Sequence, residues 1–271
     1  MSIERVTCGK GGECDVTFAS PTTARGRLVF LSDRILQWWV DFDGNFSDTG
    51  TADTILFLES FSGPSEAPVV QELDASWQVN VSNVSVTLTT DPVLLSVALD
   101  GEVVLAEAAP LTWDSASTSQ HLTRDTSRRV RDGLGQEFFF GGGMQNGRFS
   151  HRDEAITVAV DYNWDDGGHP NSVPFYLSTA GFGVLRNTWS PGVYEFTDPV
   201  TTTHNESRFD AFYLLGKEGP ELESVLGLYT QLTGRPFLPP IYAFGLGAFT
   251  LTWIMICHVM SCLINKPYHL D

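Results

Sequence analysis

From about Arg27 to Leu215 the apolar positions recur at intervals of two, in short runs separated by turn residues, which predicts one strand after another. The segments "RILQWWVDFDG", "TILFLES", "EAITVAVDYN", "VPFYLST", "FGVLRNT", "GVYEFT" and "FDAFYLL" each carry such a run. In "WQVNVSNVSVTLTT", Trp77, Val79 and Val81 share one face, and Val84, Val86 and Leu88 resume after Ser82-Asn83, so a bulge or a turn is expected there. In "VLLSVALDGEVVLAEA" two β-rich runs flank Asp100-Gly101, the pair that a type I′ hairpin turn prefers. Many short strands with Gly, Asn and Asp between them predict an antiparallel sandwich or barrel.

The period then becomes that of a helix. "GPELESVLGLYTQLTGR" sets Leu222, Val225, Leu226, Tyr229 and Leu232 at 3.6-residue spacing, with Pro220 where a helix can start and Gly234 where it can stop. "PFLPP" follows as a stiff link, because proline fixes its own φ and restricts the residue before it. Leu238 to Asn265 is free of Asp, Glu, Lys and Arg. A sandwich, a helix and a Pro-rich link have the look of a first domain handing over to a second.

Composition narrows the partners. Asp plus Glu outnumber Lys plus Arg, 33 to 16, and the net charge of −17 repels nucleic acid and anionic membrane alike. The stretch 114–133 gathers Arg124, Arg128, Arg129 and Arg131 in polar surroundings, which fits a solvated loop or edge strand better than a basic binding site. Among the 4 cysteines, neither Cys8/Cys14 nor Cys257/Cys262 has the spacing or the accompanying histidines of a zinc site. A local Cys8–Cys14 disulfide is open in an oxidising compartment. Four Asn-x-Ser sequons, at Asn45, Asn80, Asn83 and Asn205, favour a secreted protein as N-glycosylation candidates. The opening "MSIERVTCGKGGECDV" has no apolar core of a signal peptide, a conflict that an incomplete N-terminus would resolve.

Little in the residues alone carries chemistry. Asp165-Asp166 is the one tempting acidic pair, but neighbours on an extended chain point opposite ways and cannot converge on one bond. Gly141-Gly142-Gly143 lacks the helix and the Gly-Lys-Ser/Thr ending of a phosphate loop, and is expected to make a tight bend between strands. Ser150 and His151 are neighbours without an orienting acid, so no nucleophilic triad is expected. Trp38, Trp39 and Trp113 are expected in packing roles rather than as sugar platforms.

Three stretches together resemble the N-terminal half of glycoside hydrolase family 31, the α-glucosidase and α-xylosidase family. "EFFFGGGMQNGRFSHRDEAI" (137–156) is similar to its strand and glycine turn ahead of the substrate-facing loop. "YNWDDGGHPNSVPFYLSTAGFGVLRNT" (162–188) is similar to its Asn-containing loop, Pro-Phe strand and Gly-Val strand. "LESVLGLYTQLTGRPFLPPIYAFGLG" (222–247) resembles its junction, a helix ending in Tyr-x-x-Leu-Thr-Gly-x-Pro followed by the first barrel strand. The resemblance runs in order over about 27–247, and details such as "GGGMQNGRFSH" and "TTTHNESRFDAFYLL" lean to its α-galactosaminidase and glucosyltransferase branches.

The resemblance implies a mainly β fold: a galactose-mutarotase-like antiparallel β-sandwich, one amphipathic helix and the first strand of a TIM barrel that the chain is too short to complete. It implies a poorly defined segment over 1–26, the sandwich over 27–216, the junction helix over 217–235 and a truncated barrel start with a hydrophobic tail over 236–271. The family's two catalytic aspartates lie in the barrel, so no catalytic residue is assigned here. No cofactor and no metal are expected. The loop after "YN" is implied to reach over the barrel mouth, which makes Trp164, Asp165, Asp166 and His169 candidates for contact with an α-linked oligosaccharide or glycoside. An Asp can accept two sugar hydroxyls and a Trp can stack on a pyranose face. The competing reading is an ordinary Asp-Asp-Gly-Gly turn. Asn146 and Arg148 are candidates to brace this loop from behind, although a structural hydrogen bond is the role expected of them. From about Ala248 the tail resembles nothing in the family and is expected to be aberrant, as from a retained intron, a frameshift or a misplaced gene boundary. The rivals are a transmembrane helix over 241–264, disfavoured because Gly245 and Gly247 fall in the resembling strand, and a short buried element. A non-catalytic carbohydrate-binding module and a membrane-tethered sandwich remain as alternative functions, and the intact parent is expected to be secreted.

Overall fold

The computed structural model of the chain describes residues 1–46, 56–124, 136–159, 167–217, 221–235, 237, 238 and 240. Its strands pair antiparallel throughout and fall into two sheets. Across the first sheet run β1 (Ser2–Cys8), β2 (Glu13–Ser20), β3 (Arg25–Ser32), β4 (Ile35–Asp41), β17 (Arg208–Leu215), β14 (Phe182–Arg186), β13 (Asn171–Ser178) and β11 (Phe139–Met144). Across the second run β12 (Ala155–Val158), β15 (Gly192–Glu195), β16 (Val200–His204), β10 (Thr118–Leu122), β9 (Glu102–Trp113), β8 (Leu95–Leu99), β7 (Val84–Thr89), β6 (Ser76–Val81) and β5 (Val69–Leu73). Side chains from both sheets interleave in one apolar core that includes Phe18, Leu28, Trp38, Val86, Leu95 and Tyr213. The antiparallel β-sandwich expected from the turn spacing is therefore the architecture found.

Two turns show how local sequence sets register. Asp100 and Gly101 take φ of 54° and 81°, so both central residues of the β8–β9 hairpin are left-handed, as a type I′ turn requires. Ser82 has φ of 50°, and Val81 pairs with Val84, so the break in the alternating run is a hairpin turn, not a bulge.

Helix α1 (Glu221–Thr233) lies on the outer face of the first sheet, against β13, β14 and β17. It ends at Gly234, whose φ of 84° suits the left-handed position after a helix. Val225, Leu228 and Leu232 are buried, while Leu226, expected on the apolar face, is 46% exposed. A second apolar cluster joins the helix to Ile35, Phe175, Leu177, Leu185, Phe212 and Leu214. This explains why "FDAFYLL" reads as an unbroken apolar run: β17 is covered by the core on one face and by the helix on the other.

Three expectations need correction. Residues 1–26 are not a poorly defined segment: β1, β2 and the start of β3 fill them, and Ile3, Val6, Cys14, Val16 and Phe18 are core residues. Cys8 and Cys14 sit opposite each other across β1–β2 and are joined by a disulfide. The described end of "TILFLES" is a short 3-10 turn, Leu58–Ser60, rather than a strand. Gly141, Gly142 and Gly143 do not bend between strands but lie inside the edge strand β11.

Candidate functional site

The site is built where β12 and β13 part company. β12 ends at Val158 and β13 begins at Asn171, and the connection between them contains every residue singled out for sugar contact. Trp164, Asp165 and Asp166 lie outside the described residues, as does the hydrophobic tail from Ile241. His169 is described: it is half-buried, and its Nδ1 lies out of solvent with no hydrogen-bond partner among the described residues. An unpaired ring nitrogen at a loop base is the kind of group that a ligand hydroxyl can satisfy.

The base of this loop is held by its neighbour. The Asn146 backbone N–H donates to Gly168 O at 2.7 Å. Gln145 Nε2 donates to Gly142 O at 2.9 Å and to Thr157 O at 3.1 Å, which ties the end of β11 to β12. Asn146 thus braces the loop through its backbone, whereas Arg148 turns to Glu154, at 2.6 Å. The triglycine makes this approach feasible. All three glycines have positive φ, of 116°, 73° and 77°, and the β11–β13 register slips between Gly141 and Gly143. A Cβ on Gly143 would run into Asn171 O and Val173 N, the first residues of β13. Ser150 and His151 form no triad: His151 Nε2 donates to Gly141 O at 2.9 Å and its ring stacks near Phe196.

Beside the loop base lies a cavity of about 120 Å³. Val158, Ala159 and Ser172 line it from the loop side, Trp189 from the β14–β15 connection, and Tyr229 and Thr233 from the last turns of α1. The indole of Trp189 is 58% exposed. No carboxylate is among the described residues lining the cavity. The base of the loop and the point where the chain leaves the sandwich therefore share one cavity.

A set of polar side chains is buried inside the sandwich. Arg186 is wholly buried, with its guanidinium 4.4 Å over the Phe209 ring, 3.4 Å from Thr118 Oγ1 and 3.9 Å from Glu206. Next to it, Asn187 Nδ2 donates to Asp210 Oδ2 and Gln37 Nε2 to Asp210 Oδ1, each at 2.7 Å. Burial pushes the Asp210 carboxyl up to about 7 despite these bonds. Glu107 is likewise pushed up to about 7 by burial, although it accepts from Gln120 Nε2 and the Leu95 N–H, each at 2.8 Å. His204 Nδ1 meets Ser190 O at 2.8 Å, which can only accept, so Nδ1 carries the proton and Nε2 accepts from Tyr194 O–H at 2.9 Å. Burial, with the Arg186 charge nearby, pushes this imidazole down to about 3. Of these residues, Arg186, Asn187 and Ser190 line the cavity. Trp189 and Asn187 carry no motif of their own in the sequence, and the only signal for them was their place in "NTW" directly after the fully buried strand β14.

The remaining candidates spread over the surface. Asn45, Asn83 and Asn205 are exposed at turns, and Asn80 is half-buried within β6. Trp38 is core, Trp39 is half-buried against Phe46, and Trp113 stacks on Phe42 with centroids 4.2 Å apart, so all three pack rather than present open faces. Of the arginine cluster, Arg124 is described and pairs with Asp153 at 2.5 Å.

Residues 14–195 match the family model described as glycosyl hydrolase 31 N-terminal galactose mutarotase-like domain. The chain is 37% identical over 100 residues to an α-glucosidase of Saccharolobus solfataricus, an overlap of 32% of this chain and 14% of that protein. It is 24% identical over 257 residues to an isomaltosyltransferase of Sporosarcina globispora, covering 88% of this chain and 22% of that protein. Among solved structures, a family 31 dextranase of Flavobacterium johnsoniae in complex with isomaltotriose shares the fold, with a TM-score of 0.74 at 18% identity over 90% of this chain and 29% of its own. The chain thus spans between 14% and 29% of the length of these relatives.

Proposed function

Because the chain belongs to glycosyl hydrolase family 31 through its N-terminal galactose mutarotase-like domain, we propose that it is the sandwich portion of an α-glycoside hydrolase, one that supplies a substrate-contacting loop and no catalytic carboxylate. Its ligand is an α-linked oligosaccharide or glycoside. Trp164 offers a stacking face, Asp165 and Asp166 accept sugar hydroxyls, and His169 adds an imidazole at the base of the loop. One observation supports this reading above the others. The loop base (Val158, Ala159, Ser172) and the C-terminal turn of α1 (Tyr229, Thr233) line the same cavity, so the described ends of the loop stand beside the end of the helix. The dextranase neighbour is complexed with isomaltotriose, which makes that sugar the natural probe.

Retaining hydrolysis needs two carboxyl groups about 5–5.5 Å apart. The buried acids Glu107 and Asp210 are each bound up in side-chain hydrogen bonds within the sandwich and cannot serve. The test is a titration of the labelled chain with isomaltotriose followed by NMR. Shifts are expected at the His169 ring and the Gly167 and Gly168 amides, growing into the millimolar range because one wall of a pocket binds weakly. Shifts confined to other parts of the sandwich, or none at high sugar concentration, would remove the loop from the binding role.

A further inference from the structure

The four sequons are equivalent as sequence but not as structure. An N-glycan is bulky and hydrophilic, so its asparagine must face solvent in the folded chain. Asn205 stands exposed in the turn between β16 and β17, with its backbone N–H held by Pro191 O at 2.9 Å, and Ser207 of the same sequon is also exposed. Asn83 stands exposed in the two-residue turn between β6 and β7. Its Nδ2 donates to Asp100 Oδ1 at 2.8 Å. Attachment of a sugar leaves one N–H on that nitrogen, so a donor remains for the Asp100 carboxylate. Asn80 differs: it sits inside β6, paired with Val69 on one side and Ser85 on the other, and is half-buried.

An independent feature bears on the compartment. Cys8 and Cys14 face each other in register across β1–β2 and are joined by a disulfide, a bond that persists where the surroundings are oxidising. In eukaryotic cells the compartment that forms disulfides is also the one that attaches N-glycans.

We propose that the chain matures in that compartment, that Asn83 and Asn205 are N-glycan attachment sites and that Asn80 is not; Asn45, whose Ser47 lies outside the described residues, is left unassigned. The co-substrate is an oligosaccharide carried on a polyisoprenyl pyrophosphate. Nδ2 of the asparagine forms a bond to the anomeric carbon. The bond from that carbon to the pyrophosphate oxygen breaks, the lipid pyrophosphate leaves, and one amide proton passes to a base. This inference does not rest on sugar binding by the loop, so either can fail without the other.

The test directs the full 271-residue chain into the secretory pathway of a eukaryotic host and releases glycans with peptide N-glycosidase in heavy-oxygen water. Cell-retained and secreted material are both digested and weighed, so that the readout does not depend on export. Asn83 and Asn205 are expected to become labelled aspartates while Asn80 stays unlabelled. N83Q and N205Q should each remove one mobility step, and N80Q should remove none. Unlabelled Asn83 and Asn205, or a label at Asn80 in place of Asn83, would overturn the assignment.

Discussion

The rings of Phe175 and Tyr229 stack with centroids 4.0 Å apart and planes 17° from parallel, and this pair fastens α1 to the sandwich. Phe175 belongs to β13, the strand that leaves the candidate loop, and Tyr229 lines the cavity beside it. Tyr229→Ala is expected to cost about 2 kcal/mol through lost stacking and burial. The urea midpoint would report this, and an unchanged midpoint would mean that the helix is held by its other contacts alone.

The β8–β9 turn makes a second prediction. Asp100 has φ of 54°, which a proline ring cannot adopt. Asp100→Pro should lower stability by more than about 1 kcal/mol. An unshifted denaturation curve would contradict the hairpin register seen from Ser96–Ala106 to Leu99–Glu102.

The triglycine makes a third. Gly143 combines φ of 77° with backbone atoms of β13 where a Cβ would stand. Gly143→Ala should destabilise by more than about 1 kcal/mol. It should also disturb the amide resonances of Gly167 and Gly168, because the Gly168 carbonyl accepts from the Asn146 N–H. Loss of stability without any change at those amides would separate the glycines from the loop.

Several of these features were legible in the sequence, and their physics says why. The Asp100-Gly101 turn, the Ser82-Asn83 break and the Gly234 helix end rest on backbone conformations that few residues accept, so the residues announce them. The first two strands were not legible. "CGKGGEC" reads as loop, and the register slips around Ile3 and Arg5 break the alternation that would have shown β1. The polar interior was hidden for a different reason. Glu107, Arg186, His204 and Asp210 read as surface residues one by one; the β9–β10 register brings Gln120 to Glu107, and the pairing of strands far apart in sequence brings Gln37 to Asp210. Trp189 was missed because an exposed indole beside a cavity cannot be told in sequence from an indole in a core.

That interior makes a fourth prediction, in pH. Burial raises Glu107 from 4.5 and Asp210 from 3.8 to about 7 each, so the folded chain keeps protons that the unfolded chain has already lost. Their contribution is complete below about pH 4 and is lost as pH rises through 7. His204 works the other way: lowered from 6.5 to about 3, it favours the folded state above pH 6.5 and loses that contribution as pH falls. Burial also raises Glu206 and lowers His121, so three raised carboxyls outnumber two lowered imidazoles and the urea midpoint should fall between pH 5 and pH 8. Glu107→Gln should flatten that fall, by up to about 1.4 kcal/mol per pH unit for the one group removed. A midpoint that rises over this range, or a slope untouched by the substitution, would deny the buried carboxyls their role.

The division of labour between loop and catalysis is tested most directly by turnover. The purified chain is incubated with aryl α-glucosides, α-xylosides and α-galactosides and compared with a protein-free blank. The described residues around the cavity bring no carboxylate to it, and retaining hydrolysis needs two. No hydrolysis above the blank is expected. Hydrolysis that survives successive purification steps and scales with the amount of chain would contradict it, and would mean that this sandwich carries a catalytic pair of its own.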